Sequence, residues 1–171
     1  MTMKRKVLII DTSIFCVWLK VPDMETCGSG DNVWDYERVA KKIKEEIDAG
    51  TTFVLPLAAI IETGNHITHA RGDVYELAKS FAGFIEDSAD SKSPWAAFTA
   101  QNGLWESEGL KKLVKRWVEN NPNAQSLGDA SIVDVAEYYA TMGQQVEILT
   151  GDQGLKSYEP QVSVPIPRRR K

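Results

Sequence analysis

The chain has 171 residues, 43% of them hydrophobic, a formal net charge of −4 and only two cysteines. That apolar content is enough to bury the core of a single domain, residues 1–171, and the acidic balance excludes a globally basic nucleic-acid binder. The cysteines make neither a disulfide framework nor a zinc set, which places Cys16 in the core and Cys27 in a loop of a protein suited to a reducing compartment.

Lys4-Arg5-Lys6 precedes apolar residues as in a secretory leader, but Asp11 interrupts that run and Lys20 closes the next. A leader needs a continuous apolar stretch and a cleavage site, and a membrane span needs ~20 apolar residues. Neither pattern is present, and the expectation is a cytoplasmic protein with no membrane partner.

Lys6–Ile10 is a β-branched and Leu run, predicted as a strand buried on both faces. Asp11-Thr12-Ser13 follows, with a hydroxyl residue able to cap a helix over Ile14–Lys20. Pro22, Gly28, Gly30 and Asp31-Asn32 mark Val21–Asn32 as a loop. In Val33–Ala49, Tyr36, Val39, Ala40, Ile43 and Ile47 recur at helical spacing, and Gly50 ends the element. Thr52–Leu55 is a second predicted strand, stopped by Pro56, with helices over Leu57–Ala70 and Asp73–Phe84. Trp95–Phe98 reads as a weak third strand, and Gly109–Asn120 as an amphipathic helix with Lys111, Lys112, Lys115 and Arg116 on one face. A helix from Leu127 through Met142, a fourth strand at Val146–Leu149, a turn of helix and an edge strand at Val162–Val164 complete the series. Strands alternating with helices imply right-handed crossovers, hence an α/β fold: a three-layer α/β/α sandwich around a mainly parallel sheet of about five strands. Arg168–Lys171 forms a basic tail, too short and polar to pack.

Four acidic residues stand at ends of these elements: Asp11 after Val7–Ile10, Glu62 after Leu55–Ile61, Asp129 before Ile132–Ala136, and Asp152 after Val146–Thr150. In a parallel sheet the carboxyl ends of the strands share one edge, outside which ligands bind. Carboxylates scattered along the sequence can converge there, where they repel one another unless cations neutralise them. Hard oxygen donors suit Mg²⁺ or Mn²⁺. Taken singly, Asp11 and Asp129 also read as helix caps and Asp152 as a turn residue. Glu62 follows a strongly apolar run with no cation nearby in sequence.

The segments Val7-Leu8-Ile9-Ile10-Asp11-Thr12-Ser13, Leu55-Pro56 through Ile61-Glu62, Leu127-Gly128-Asp129-Ala130-Ser131-Ile132 and Leu149-Thr150-Gly151-Asp152-Gln153-Gly154-Leu155 occur in that order. Together they resemble the PIN domain, the fold of many metal-dependent ribonucleases, including VapC-like toxins of toxin–antitoxin pairs. The resemblance runs from Val7 to about Val164. It departs at 87–126, a segment longer than in compact members, which contains Trp95, Trp105 and Trp117.

The resemblance implies an endoribonuclease whose catalytic and metal-binding residues are Asp11, Glu62, Asp129 and Asp152. Two divalent ions ~3.5–4 Å apart would activate water and stabilise the leaving oxygen. Asp11, Asp129 and Asp152 are then ligands, and Glu62 is a ligand or a base that orients the water. The helix dipole is expected to hold Asp129 ionised. Thr12, Ser13 and Thr150 are candidates to orient the carboxylates or to contact substrate phosphate. RNA, an antitoxin protein and a second copy of the chain are the partners it implies. The alternative is a PIN-type scaffold that binds nucleic acid or protein without cleaving.

Other patterns point elsewhere less strongly. Asp134 lies five residues beyond Asp129, about 140° around an ideal helix, and is expected on a solvated face. Glu62, His66 and His69 have i, i+4, i+7 spacing that suggests zinc, but no second His or Cys cluster accompanies them. Lys41, Lys42 and Lys44, like the basic face at 111–116, read first as solvated surface, and Trp95 and Trp105 as core before base-stacking residues. A haloacid-dehalogenase-like phosphatase would want an Asp where Ser13 stands.

Overall fold

The computed structural model describes residues 4–162. Strand β1 (Lys6–Ile10) is followed by α1 (Thr12–Trp18), α2 (Tyr36–Asp48), β2 (Thr52–Val54), α3 (Leu57–Thr68) and α4 (Val74–Ala89). A 3₁₀ segment (Phe98–Leu104) leads to α5 (Ser107–Glu119), α6 (Leu127–Thr141), β3 (Gln145–Leu149) and α7 (Gln153–Lys156).

The sheet is parallel throughout, in the order β2-β1-β3, with Leu8 opposite both Phe53 and Glu147. Successive residues of a strand face opposite sides, and the two halves of the core follow that rule. Leu8 and Ile10 pack with α1, α2, α3, α4 and Phe53, whereas Val7 and Ile9 pack with α6 and with Val146 and Ile148 of β3. Every residue of β1 from Val7 to Ile10 is buried, as a central strand covered on both faces requires. Helices on each side of the sheet make three layers.

The expected five strands reduce to three among the described residues. Trp95–Phe98 is not a strand. Its only pairing is a parallel bridge between Phe53 and Trp95, bracketed by Phe53 N–H to Pro94 O and Ala96 N–H to Phe53 O, both 2.8 Å. Pro94 has no N–H to extend a ladder, and the chain turns into the 3₁₀ segment by Phe98. Val162 takes no strand conformation, while residues 163 and 164 and the basic tail lie outside the described residues.

The helix expected from Val33 starts at Tyr36. Trp34 is held in an antiparallel bridge to Cys27, and Asp35 caps the helix by accepting the Arg38 N–H at 2.9 Å. The segment 87–126 contains the end of α4, the 3₁₀ segment and α5, which packs on α6. Trp95 is a core residue, stacked on Phe15 and edge-on to Phe53 and Phe84.

Two expectations about charged surface change. Asp134 is not solvated: Arg116 of α5 forks onto Asp134 and Glu137 of α6. Lys42 joins Lys6, Glu46 and Glu147 in a part-buried network across α2, β1 and β3, while Lys41 and Lys44 pair with Glu45 and Asp48 at the surface. No helix among the described residues is long and apolar enough to cross a membrane.

Candidate active site

β1 sits between two neighbours that the chain reaches in opposite directions, first β2 and later β3. In an open parallel sheet the crevice at such a reversal, at the carboxyl ends of the strands, is where ligands bind. Asp11 stands there, its backbone N–H continuing the ladder to Leu149 O at 3.0 Å.

Asp11 is only 6% exposed. It occupies the N-cap position of α1 but makes no side-chain capping bond. Its Oδ2 instead accepts two hydroxyls, from Thr150 at 2.8 Å and Ser13 at 2.9 Å. Each hydroxyl is held in turn, since Thr150 Oγ1 accepts the Asp152 N–H at 3.0 Å and Ser13 Oγ accepts the Gly151 N–H at 3.1 Å. The turn after β3 and the start of α1 are thereby tied to one carboxylate oxygen. Thr12, the remaining hydroxyl of this group, donates to Glu62 Oε2 at 3.2 Å and brings α3 to the same edge.

Asp129 lies in the first turn of α6. Ser126 is the cap, and its Oγ accepts the Asp129 N–H at 3.0 Å. Asp129 is therefore not itself a cap. Its carboxyl is pushed above the usual carboxylate range, first by burial and then by the charges of Asp11, Asp152 and Glu62, against the lowering effect of Ser126. Burial and like charges thus act on Asp129 against the stabilisation expected from the helix dipole.

Asp152 retains the turn role as well. Its Oδ1 caps α7, accepting from Gly154 N–H at 2.7 Å and Leu155 N–H at 3.2 Å. Two glycines of the sequence motifs prove to be parts of the site. A Cβ on Gly128 would stand 2.2 Å from Glu62 Oε1, and one on Gly151 would stand 2.7 Å from both Cys27 Sγ and Gly28 N. Gly128 thus lets α6 close on Glu62, and Gly151 lets the Cys27 loop close on the turn that carries Asp152. The only trace in the sequence is a glycine directly before each acid.

None of the four acids pairs with Lys, Arg or His among the described residues. Elsewhere the fold pairs its part-buried carboxylates, as at Glu46, Glu147 and Asp134. Of the four acids, Asp11 is buried, Glu62 and Asp129 are half-buried and Asp152 is exposed; burying a carboxylate without a counter-charge is costly, and Asp11 receives hydroxyls only. As placed, however, no three His, Cys, Asp or Glu side chains among the described residues form a group able to hold a metal ion. The zinc array suggested by Glu62, His66 and His69 does not form either, with both histidines exposed and His69 Nδ1 2.8 Å from Asn65 O.

Cys27 packs beside this edge, its thiol pushed up first by burial, whereas fully buried Cys16 is raised to about 12, again mainly by burial. Both are thiols at neutral pH and unsuited to act as thiolate nucleophiles. What remains to do chemistry is oxygen: four carboxylates, three hydroxyls and the amides of two turns. Comparison of the chain with protein-family models, with curated proteins and with solved structures gave no match.

Proposed function

We propose that the chain is a Mg²⁺- or Mn²⁺-dependent endoribonuclease of the PIN type, hydrolysing RNA phosphodiester bonds at Asp11, Glu62, Asp129 and Asp152. The observation that supports this most is the gathering of acids around the carboxyl ends of β1 and β3, where Asp11 and Asp152 share Thr150, Thr12 reaches Glu62, and no Lys, Arg or His pairs with any of the four acids among the described residues. Such a charge surplus calls for cations, and an all-oxygen donor set favours hard ones.

When bound, the ions would neutralise the site and polarise the anionic phosphodiester. Asp11 is the fixed point of the set, clamped by Ser13 and Thr150. Asp152 is held through one oxygen, and Glu62 by a single hydroxyl. Ion binding requires rotation of the less constrained side chains toward Asp11, since no ready three-ligand group exists. Glu62 is the residue assigned to accept the proton of the attacking water, being tethered loosely enough to move between positions.

RNA cleavage in Mn²⁺ or Mg²⁺ tests the reading, comparing wild type with Asp11→Asn and Asp152→Asn. The expected result is cutting by wild type, its abolition by chelator, and loss in both folded variants. Equal cutting by all three proteins would overturn it. The lack of a ready ion-holding group favours a second reading, a PIN-type scaffold that binds without cleaving, and wild-type inactivity together with retained RNA binding would select it. A toxin role, with an antitoxin partner, predicts growth arrest on expression that Asp11→Asn relieves.

A further inference from the structure

An apolar groove between α3, α5 and α6 adjoins the acids. Ile61, Trp105, Leu110 and Val114 line it, Glu62 and Gly128 belong to its wall, and its volume is about 310 Å³. Ile61 is 55% exposed, and Leu110, Val114 and Leu127 are exposed beside it. Scattered apolar residues are ordinary on a surface, but here Ile61, Leu110, Val114 and Leu127 border one groove.

We propose that this groove is a base-binding subsite, taking one nucleobase of a single-stranded RNA next to the scissile phosphate and stacking it on Trp105. The inference rests on the nuclease reading for the position of the phosphate. Glu62 belongs both to the acidic edge and to the groove, so a phosphate held at the acids has its own nucleoside at the groove's mouth. Glu62 is the only charged residue of the lining and there is no cation among them, which disfavours a phosphate or an acidic peptide and suits a neutral flat ring. Trp105, Leu110 and Val114 all come from the segment 87–126, which gives that enlarged stretch a function: it builds the specificity wall beside the acids. Aromatic stacking is tolerant of base identity, so the preference it confers is for unpaired RNA rather than for a sequence.

The test is equilibrium binding by the wild-type protein with Ca²⁺, another hard ion for carboxylate oxygens, in place of Mn²⁺, the probes being checked to remain intact. The probes are a labelled oligouridylate and an abasic ribose-phosphate chain of equal length. The parent protein should bind the oligouridylate about tenfold more tightly than the abasic chain. Trp105→Ala should erase that preference, Trp105→Phe should restore it, and Ile61→Ser, at an exposed position that leaves folding intact, should reduce it several-fold. Equal binding of the two probes by the parent, no binding of either, or an unchanged preference in Ile61→Ser would overturn the proposal. So would a second copy of the chain occupying the groove, seen as dissociation of a dimer by Ile61→Ser in sedimentation with base preference unchanged. Failure of the nuclease reading shows separately, as wild-type protein that does not cut in Mn²⁺ or Mg²⁺.

Discussion

Thr150 and Asp11, 139 positions apart in the chain, meet in a 2.8 Å hydrogen bond that joins the end of β3 to the end of β1. The bond orients the most buried of the four acids, and the same hydroxyl accepts the Asp152 N–H. One side chain therefore sets two of the proposed ligands.

Thr150→Val removes both contacts and leaves a part-buried amide without its acceptor. A loss of about 1–3 kcal/mol is expected in denaturant unfolding. Loss of a group that orients a ligand costs roughly 10–100-fold in ion affinity or activity, so Mn²⁺-dependent cleavage should fall by that much. Thr150→Ser, which returns the hydroxyl, should recover most of both.

Gly128→Ala separates function from folding. The new methyl would stand 2.2 Å from Glu62 Oε1, the far end of a flexible side chain that can swing away. Alanine is also favoured over glycine by about 0.8–1 kcal/mol in a helix interior, and by less in the first turn of α6, where Gly128 stands. Unfolding stability should stay level or rise slightly while cleavage falls, and a comparable loss in both measurements would contradict the role given to Glu62.

The Lys6–Lys42–Glu46–Glu147 network gives the fold a defined pH response. Burial alone would raise the Glu46 carboxyl, but hydrogen bonds from Lys42, Lys6 and Thr51 prevail and hold it at about 2, below its ordinary 4.5. Its contribution is fully present above pH 4.5 and is lost as pH falls toward 2. Lys6 runs the other way: burial would lower it, yet Glu147 and Glu46 push it up, so its contribution is present below its ordinary 10.5 and lost at higher pH. Urea midpoints of wild type and Glu46→Gln should differ near neutrality and converge toward pH 2.

Much of this arrangement was legible in the sequence. The runs Val7–Ile10 and Val146–Leu149 read directly as parallel strands, and Asp11 stands at the carboxyl end of the first, its N–H bonded to Leu149 O. The sheet was overcounted because Trp95 and its neighbours have the composition of a strand, whereas Pro94 and the 3₁₀ segment limit the pairing to one bridge. Asp134 was misplaced for a different reason. Helical periodicity shows which face of α6 it occupies, but not that α5 returns Arg116 to that face. The hydroxyl clamp on Asp11 and the close approach of Gly128 to Glu62 depend on separations of many residues, which local pattern cannot encode.

The proposal that Asp11, Glu62, Asp129 and Asp152, without a basic partner among the described residues, form one cation site is tested most directly by calorimetric titration of Mn²⁺ into wild type and Asp11→Asn. Saturable binding by wild type that is lost or sharply weakened in a folded Asp11→Asn protein is the expected result. No binding by wild type, or equal binding by both proteins, would contradict the account.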